Sequence, residues 1–296
     1  MSNQYLFFIL FLAINSGLWM IFNSVQQSQM KELQTLILDQ RNGKKYSAPS
    51  ESEKQNNADK SDKIVISKEF IDWYKNQGRM RADYVKTAVN QEIYNVLAPE
   101  AYCPRMRLGR IFDGGKWICD PINVPDGCVI FSLGIAGQPS FDEEIQKYTN
   151  MRCKIYGYDR SPGAISEQVF KSINGVSRAI TLSKVTDASK GTSNIEDLMK
   201  LEKVDKIEIL KIDIEGAEFQ VMTQFLQKQT VCQILIEIHS TYDGAKNLLR
   251  EIARFDYLLF NFEINPNSPF TATEFSFIHK SCMQRYSAIE LYRYLP

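Results

Sequence analysis

From residue 128 to residue 278 short apolar runs alternate with helix-like stretches, and this alternation constrains the 296-residue chain more than any other feature. Residues 128–133, 153–158, 178–183, 207–212 and 232–238 are β-rich runs. Helices are expected between them: one opened by Ser140 with Glu143 at the capping-box spacing, one opened by Ser161-Pro162, and others over 195–201, 217–227 and 245–254. Two further runs, 257–262 and 274–278, are joined by the short loop 265–269 (Asn-Pro-Asn-Ser-Pro) and read as a hairpin. Strand–helix alternation predicts an α/β fold with a mostly parallel sheet, helices on both faces and a terminal antiparallel hairpin. Buried parallel strands should be continuously apolar, as several of these runs are.

In such sheets ligands bind outside the carboxyl ends of the strands. The residues that follow the strands are Gly134, Asp159, Lys184, Asp213, His239 and Glu263. The turn Gly134-Ile135-Ala136-Gly137-Gln138 allows a ligand close to the backbone. Asp159 is placed to accept hydrogen bonds from ribose hydroxyls, which suggests an adenosine cofactor. The plainer alternatives are a tight turn and an aspartate that caps its helix. A dinucleotide fingerprint would need glycine at 134, 136 and 139. The chain has Ala136 and Pro139, which disfavours a nicotinamide-dependent reductase.

A stronger signal is Leu210-Lys-Ile-Asp213-Ile-Glu215-Gly216-Ala217-Glu218. Acids grouped at the end of an apolar strand are costly unless paired, solvated or used. Glu215 and Glu218 could instead serve a helix N-terminus, where the dipole favours negative charge. Among only two histidines, His239 follows a strand on the expected rim, whereas His279 should lie at the opposite edge. His239 is therefore the candidate general base, with a structural histidine as the alternative. Glu237 alternates with it and should face the same side. With Asp213 these residues could form a carboxylate–imidazole pair or hold a divalent cation. No established ligand spacing is present, so no metal is assigned.

The run Lys211-Ile-Asp213-Ile-Glu215-Gly216-Ala217-Glu218-Phe219 resembles the D-x-E-G-x-E signature of FkbM-type methyltransferases. The chain is similar to their membrane-anchored, methyltransferase-like branch. There an anchor precedes a segment like Asp113-Gly-Gly-Lys116-Trp117-Ile-Cys119-Asp120, followed by a turn like Ser132-Leu-Gly134. The similarity spans roughly 100–295. It implies a Rossmann-like class I fold with S-adenosylmethionine as cofactor. By this resemblance Gly134, Ala136 and Gly137 would cradle the methionine part, Asp159 the ribose and Asp187 the adenine. Asp213 would lie near the cofactor's amino group or the substrate. A catalytically silent binding module with the same fold is the competing reading, motivated by Ala136 and Gln138 in the glycine turn.

Residues 5–22 are mostly apolar and uncharged, just long enough to span a hydrocarbon core as a helix. They suggest a signal-anchor within 1–24, with a cleaved signal peptide as the alternative. Met30, Leu33 and Ile37 outline a short stem helix, and 47–63 hold almost nothing to bury, so 25–63 read as stem and flexible linker before a domain over 64–296. Lysines and arginines following the span would put the domain in the cytosol on a literal count. A long domain translocates regardless of charge, and a lumenal catalytic domain is expected. The Lys+Arg and Asp+Glu counts are both 35, so no nucleic-acid partner is indicated. The acceptor is read as a small molecule or glycan, and the oligomeric state is left open. Cys103 and Cys119 suit a disulfide in an oxidising lumen, whereas Cys128, Cys153 and Cys232 are expected as buried thiols. Arg105, Arg107 and Arg110 form a basic cluster, by default a solvated loop.

Overall fold

A computed structural model describes residues 67–111, 113–268 and 271–295. The apolar run 5–22, the stem and the linker lie outside them. Among the described residues no helix is long and apolar enough to cross a membrane.

The chain enters through α1 (Lys68–Thr87) and α2 (Glu92–Val96), then three short strands, β1 (Ala101–Tyr102), β2 (Arg105–Leu108) and β3 (Lys116–Cys119). The alternating part follows: β4 (Val129–Leu133), α3 (Ser140–Tyr148), β5 (Lys154–Asp159), α4 (Gly163–Ser172) and β6 (Gly175–Ala179). After the small pair β7 (Thr181–Leu182) and β8 (Thr192–Ser193) come α5 (Ile195–Glu202), β9 (Ile209–Ile212), α6 (Glu218–Leu226), β10 (Gln233–His239) and α7 (Tyr242–Arg254). The hairpin β11 (Tyr257–Ile264) and β12 (Ala272–His279) closes the sheet, and β13 (Ile289–Glu290) pairs back on β1.

Seven strands form one sheet in the order β11-β12-β10-β9-β4-β5-β6. Pairings among β10, β9, β4, β5 and β6 are parallel, and β12 is antiparallel to both neighbours. The expected mostly parallel sheet and terminal hairpin are therefore present. Alternate side chains feed two cores. Phe131, Leu210 and Ile236 pack with α5, α6 and α7, whereas Ile130, Ile209 and Leu235 pack with α3 and α4. The chain runs outward from β4 to β6 and then returns to β9. A crevice opens where the direction reverses, at the carboxyl ends of β4 and β9.

Local expectations shift in two places. Ser140 opens α3, but Pro139 takes the N-cap position and no side chain caps the helix. The Ser140 hydroxyl instead accepts from the Arg110 amide at 3.1 Å, because the β2–β3 hairpin packs here. The third strand starts earlier than expected, at Gly175, because its register follows Ile155 to Asp159 of β5.

The cysteine expectation is corrected for three residues. Cys128, Cys153 and Cys232 are not free thiols: the disulfides are Cys103–Cys119, Cys128–Cys153 and Cys232–Cys282. Parallel register explains the second. Val129 stands opposite Lys154, so the residues just before them are neighbours, with Cα atoms 4.4 Å apart. The third bridge closes the longest loop, with a sequence separation of 50. Replacing both Cys232 and Cys282 by serine should cost about 2–4 kcal/mol in chemical denaturation, since the unfolded chain regains the entropy of that loop. An unchanged midpoint would show that this bridge does not constrain the unfolded state.

Candidate functional site

A cavity of about 680 Å³ lies at the carboxyl edge of the parallel strands. Its wall includes Gly134 and Ala136 after β4, Asp159 ending β5, Asp213 after β9, and Glu237 and His239 on β10. Two residues expected there are elsewhere. Gly137 is exposed, with nothing near the position of an added Cβ, and it is off the cavity wall. Asp187 is also off that wall. Its carboxylate accepts from the Ser189 amide at 3.0 Å and pairs with Lys190 at 3.2 Å, so it serves its own turn. Ile180, Thr181 and Leu182 take the place at the end of β6 that Asp187 was expected to fill. Lys184 and Glu263 do not line the cavity either.

The glycine turn is held from two sides. Gly134 has φ +80°, and a Cβ there would stand 1.6 Å from the carbonyl oxygen of Asp213. Only glycine lets the β4 and β9 loops pass this closely. Ala136 is also left-handed, at φ 49°, a conformation disfavoured for a residue with a Cβ. Asp159 supplies the compensation: its Oδ2 accepts from the amides of both Ile135 and Ala136 at 2.8 Å. Its Oδ1 accepts from the Ser161 amide at 2.7 Å, at the entrance to α4. One carboxylate thus holds both the turn after β4 and the loop before α4, and Oδ1 keeps a lone pair for a further donor.

Beneath the turn lies a buried charge cluster that sequence reasoning only partly assembled. Lys116 of β3 is 1% exposed. Its ammonium donates to Asp213 Oδ2 at 3.2 Å and to Glu274 Oε1, and lies 3.8 Å from Glu237 Oε2. Burial opposes the Lys116 charge, but Glu274, Asp213 and Glu237 outweigh it and hold the pKa above the ordinary lysine value. Burial likewise opposes the Asp213 carboxylate, yet Lys116 and Lys211 hold its pKa at about 2. Burial pushes Glu274 up to about 8 against the pull of Lys116. Glu237 is also raised, by burial and by the Asp213 charge, and its Oε1 accepts from the Asn265 amide at 2.9 Å. One cluster therefore holds a permanently ionised aspartate beside glutamates that keep protons more readily.

His239 meets this cluster from β10. Glu237 and His239 line the same cavity, as expected, but the imidazole's hydrogen bond goes to another carboxylate. His239 Nδ1 instead hydrogen-bonds Glu218 Oε1 at 3.1 Å, which also accepts from the Ile214 amide. Glu218 thus orients the imidazole while it serves the loop before α6, so both readings of that residue meet in one side chain. Nε2 faces Glu215 Oε2 at 3.5 Å and Asp213 Oδ1 at 3.9 Å. Burial disfavours the imidazolium, but Glu218, Glu237 and Asp213 hold its pKa up to about 9. The His279 amide donates to the Cys232 carbonyl at 2.9 Å, just before β10 begins, so His279 lies at the opposite edge from His239, as expected.

Two acid sets are close enough to share a cation: Asp213, Glu215 and His239, and Asp213, Glu237 and Glu274. In the second, the Lys116 ammonium already fills that place. Sequence reasoning missed Lys116, Glu274 and Asn265. Lys116 sits in the quoted Gly-Gly-Lys-Trp segment, and Glu274 is a lone charge in an otherwise buried strand. Those were the available signals. The cavity wall also includes Asp113, Asn265, Asn267 and Ser268.

A family described as "Methyltransferase domain" matches residues 54–279. No curated protein matches the sequence. Similar solved structures include Aeropyrum pernix fibrillarin in complex with natively bound S-adenosyl-L-methionine, at 13% identity over 53% of this chain and 68% of that one, TM-score 0.40. Precorrin-6y C5,15-methyltransferase from Geobacter metallireducens is 8% identical over 53% and 83%, TM-score 0.37. Magnesium protoporphyrin IX methyltransferase from Synechocystis is 7% identical over 52% and 71%, TM-score 0.35.

Proposed function

This chain belongs to the methyltransferase-domain family, and from that premise we propose that it methylates a neutral hydroxyl acceptor, a small molecule or a glycan, while tethered to a membrane of the secretory pathway. Its cofactor is S-adenosylmethionine. The observation that carries the reading is the single cavity onto which the Gly134 turn, Asp159, Asp213 and His239 converge.

The residues present fit that cofactor. The cavity has the size of a small-molecule site. Asp159 Oδ1 has a lone pair left for a ribose hydroxyl beside the turn, and Ile135, Ile180 and Leu182 give an apolar wall for a base. The ionised Asp213 suits an ammonium or sulfonium cation. When bound, the cofactor supplies an electrophilic methyl group. The chain's part is to orient the acceptor and remove its proton. His239 is the base in this reading, with Glu218 fixing its ring. Asp213 is too weakly basic, and Glu237 and Glu274 are tied to Asn265 and Lys116. Asn265, Asn267 and Ser268 offer amide and hydroxyl groups to a polyhydroxyl acceptor. The wall carries the carboxylates of Asp113, Asp159, Asp213, Glu215 and Glu237 against the cations Arg160 and Lys211, and this acidic excess disfavours a phosphorylated acceptor or a nucleic acid.

The secretory location draws on the disulfides, which join every cysteine of the chain in pairs and persist in oxidising compartments. The reading of a membrane tether draws on residues 5–22, and the disulfides support the reading of a lumenal domain.

Calorimetry of the full chain with S-adenosylhomocysteine tests the assignment. Binding is expected, and Asp159→Ala should weaken it about tenfold or more, the loss of a charge-assisted hydrogen bond and of the clamp on the turn. Absence of binding by the folded wild-type chain would leave a non-catalytic module with this fold.

A further inference from the structure

Helix α1 carries an apolar stripe that nothing in the described structure covers. Phe70, Trp73, Met80 and Tyr84 are 45%, 56%, 51% and 57% exposed. With Gln77 they follow the spacing i, i+3, i+7, i+10, i+14, which is one line along a helix. A different face holds α1 to the domain. Gly78 and Val85 are buried, and a Cβ on Gly78 would meet the Tyr292 ring at 2.0 Å. Tyr74 donates to the Pro99 carbonyl at 2.5 Å, and Arg81 donates to the Val96 carbonyl. The stripe is therefore held facing outward by a docked helix. Three large rings and a methionine on one line expose more apolar surface than scattered surface residues do.

We propose that this stripe is a membrane-docking face, which lies in the interfacial layer of a lipid bilayer. Two observations select this occupant. The first is composition. Tryptophan and tyrosine favour the headgroup level, where a ring can be half buried with its polar atom wet. Basic residues outnumber acidic ones along α1 by five (Lys68, Lys75, Arg79, Arg81, Lys86) to three (Glu69, Asp72, Asp83), as in helices that lie on membrane surfaces. A helix–helix seam with a second copy would instead favour aliphatic residues at these positions. The second is the chain outside the described residues. Among the described residues α1 is the first element after the polar stretch 47–63, and the apolar run 5–22 lies before that stretch in the sequence. A chain tethered by such a run meets lipid more often than any soluble partner. The inference rests on the tether reading above, but the two can fail separately.

The test uses the full chain reconstituted into phosphatidylcholine vesicles with brominated or ordinary acyl chains. The chain has three tryptophans, Trp19, Trp73 and Trp117. Comparison with Trp73→Phe isolates the Trp73 emission, and comparison with Trp19→Phe isolates Trp19. Trp73 should lose most of its emission in brominated vesicles. The combined variant Phe70→Ser, Met80→Ser, Tyr84→Ser should remove that loss while the folded domain's circular dichroism is kept. An unquenched Trp73 beside a quenched Trp19 overturns the docking face and leaves the tether. A quenched Trp73 beside an unquenched Trp19 supports the docking face and removes the tether. Stripe-dependent cross-linked dimers with Trp73 unquenched would assign the stripe to a second copy and also overturn the proposal.

Discussion

Lys116→Met should lower the stability of the domain by about 3–5 kcal/mol, the usual cost of removing one partner from a buried ion pair. For a domain of this size that is a drop of roughly 10 °C in Tm. The methionine fills a similar volume, so the loss reports charge rather than packing. Asp213, Glu237 and Glu274 would be left facing one another with their shared cation gone. The loss should also depend on pH. Burial has already raised Glu237 and Glu274 above the ordinary glutamate pKa, and without Lys116 they rise further. A carboxyl whose pKa is raised on folding favours the folded state at low pH, and that contribution is lost as pH rises through the folded value. The variant should therefore be closer to wild type at pH 5 than at pH 8. Adding Glu274→Gln should recover part of the loss, because the two residues share one hydrogen bond. Equal melting curves for wild type and Lys116→Met at both pH values would refute the role given to this lysine.

His239→Ala should reduce turnover by about 10²–10⁴-fold with little change in cofactor affinity, the range for loss of a positioned general base. Asp159→Ala should do the reverse, since Asp159 holds the glycine turn whereas His239 bonds Glu218 and takes no part in that turn. The pH profile gives a second readout. His239 must be neutral to take a proton, and its neighbours hold its pKa up to about 9. Turnover should climb as pH rises toward 9, and His239→Ala should lose that climb. The same shift has a stability consequence of opposite sense. The folded pKa lies above the unfolded value, so the imidazolium's pairing with Glu218 stabilises the fold fully below pH 6.5, and this is lost as pH rises through about 9. Wild-type turnover by the alanine variant on any accepted hydroxyl substrate would remove His239 from the reaction.

The site was legible in sequence to the extent that its parts follow strands directly. Gly134, Asp159, Asp213 and His239 each sit at a strand's carboxyl end, and a parallel sheet brings such ends to one edge whatever the details. Asp187 and Gly137 were misplaced because the segments after β6 and within the turn depend on loop conformation, which no periodic pattern encodes. The cysteines show the same limit. Cys103 and Cys119 flank one hairpin and could be paired by inspection, whereas Cys128 and Cys153 become neighbours only through strand register.

Sequence alone determined the order of strands and helices, the mostly parallel sheet and the edge at which a ligand can bind, because those follow from apolar period and turn chemistry over a few neighbouring residues. Tertiary structure alone decided which charges share the interior. Lys116 and Glu274 stand 158 positions apart in the chain and meet within one hydrogen bond. Their partnership, and with it the protonation of Asp213, Glu237 and His239, depends on electrostatic distances that a linear pattern does not carry.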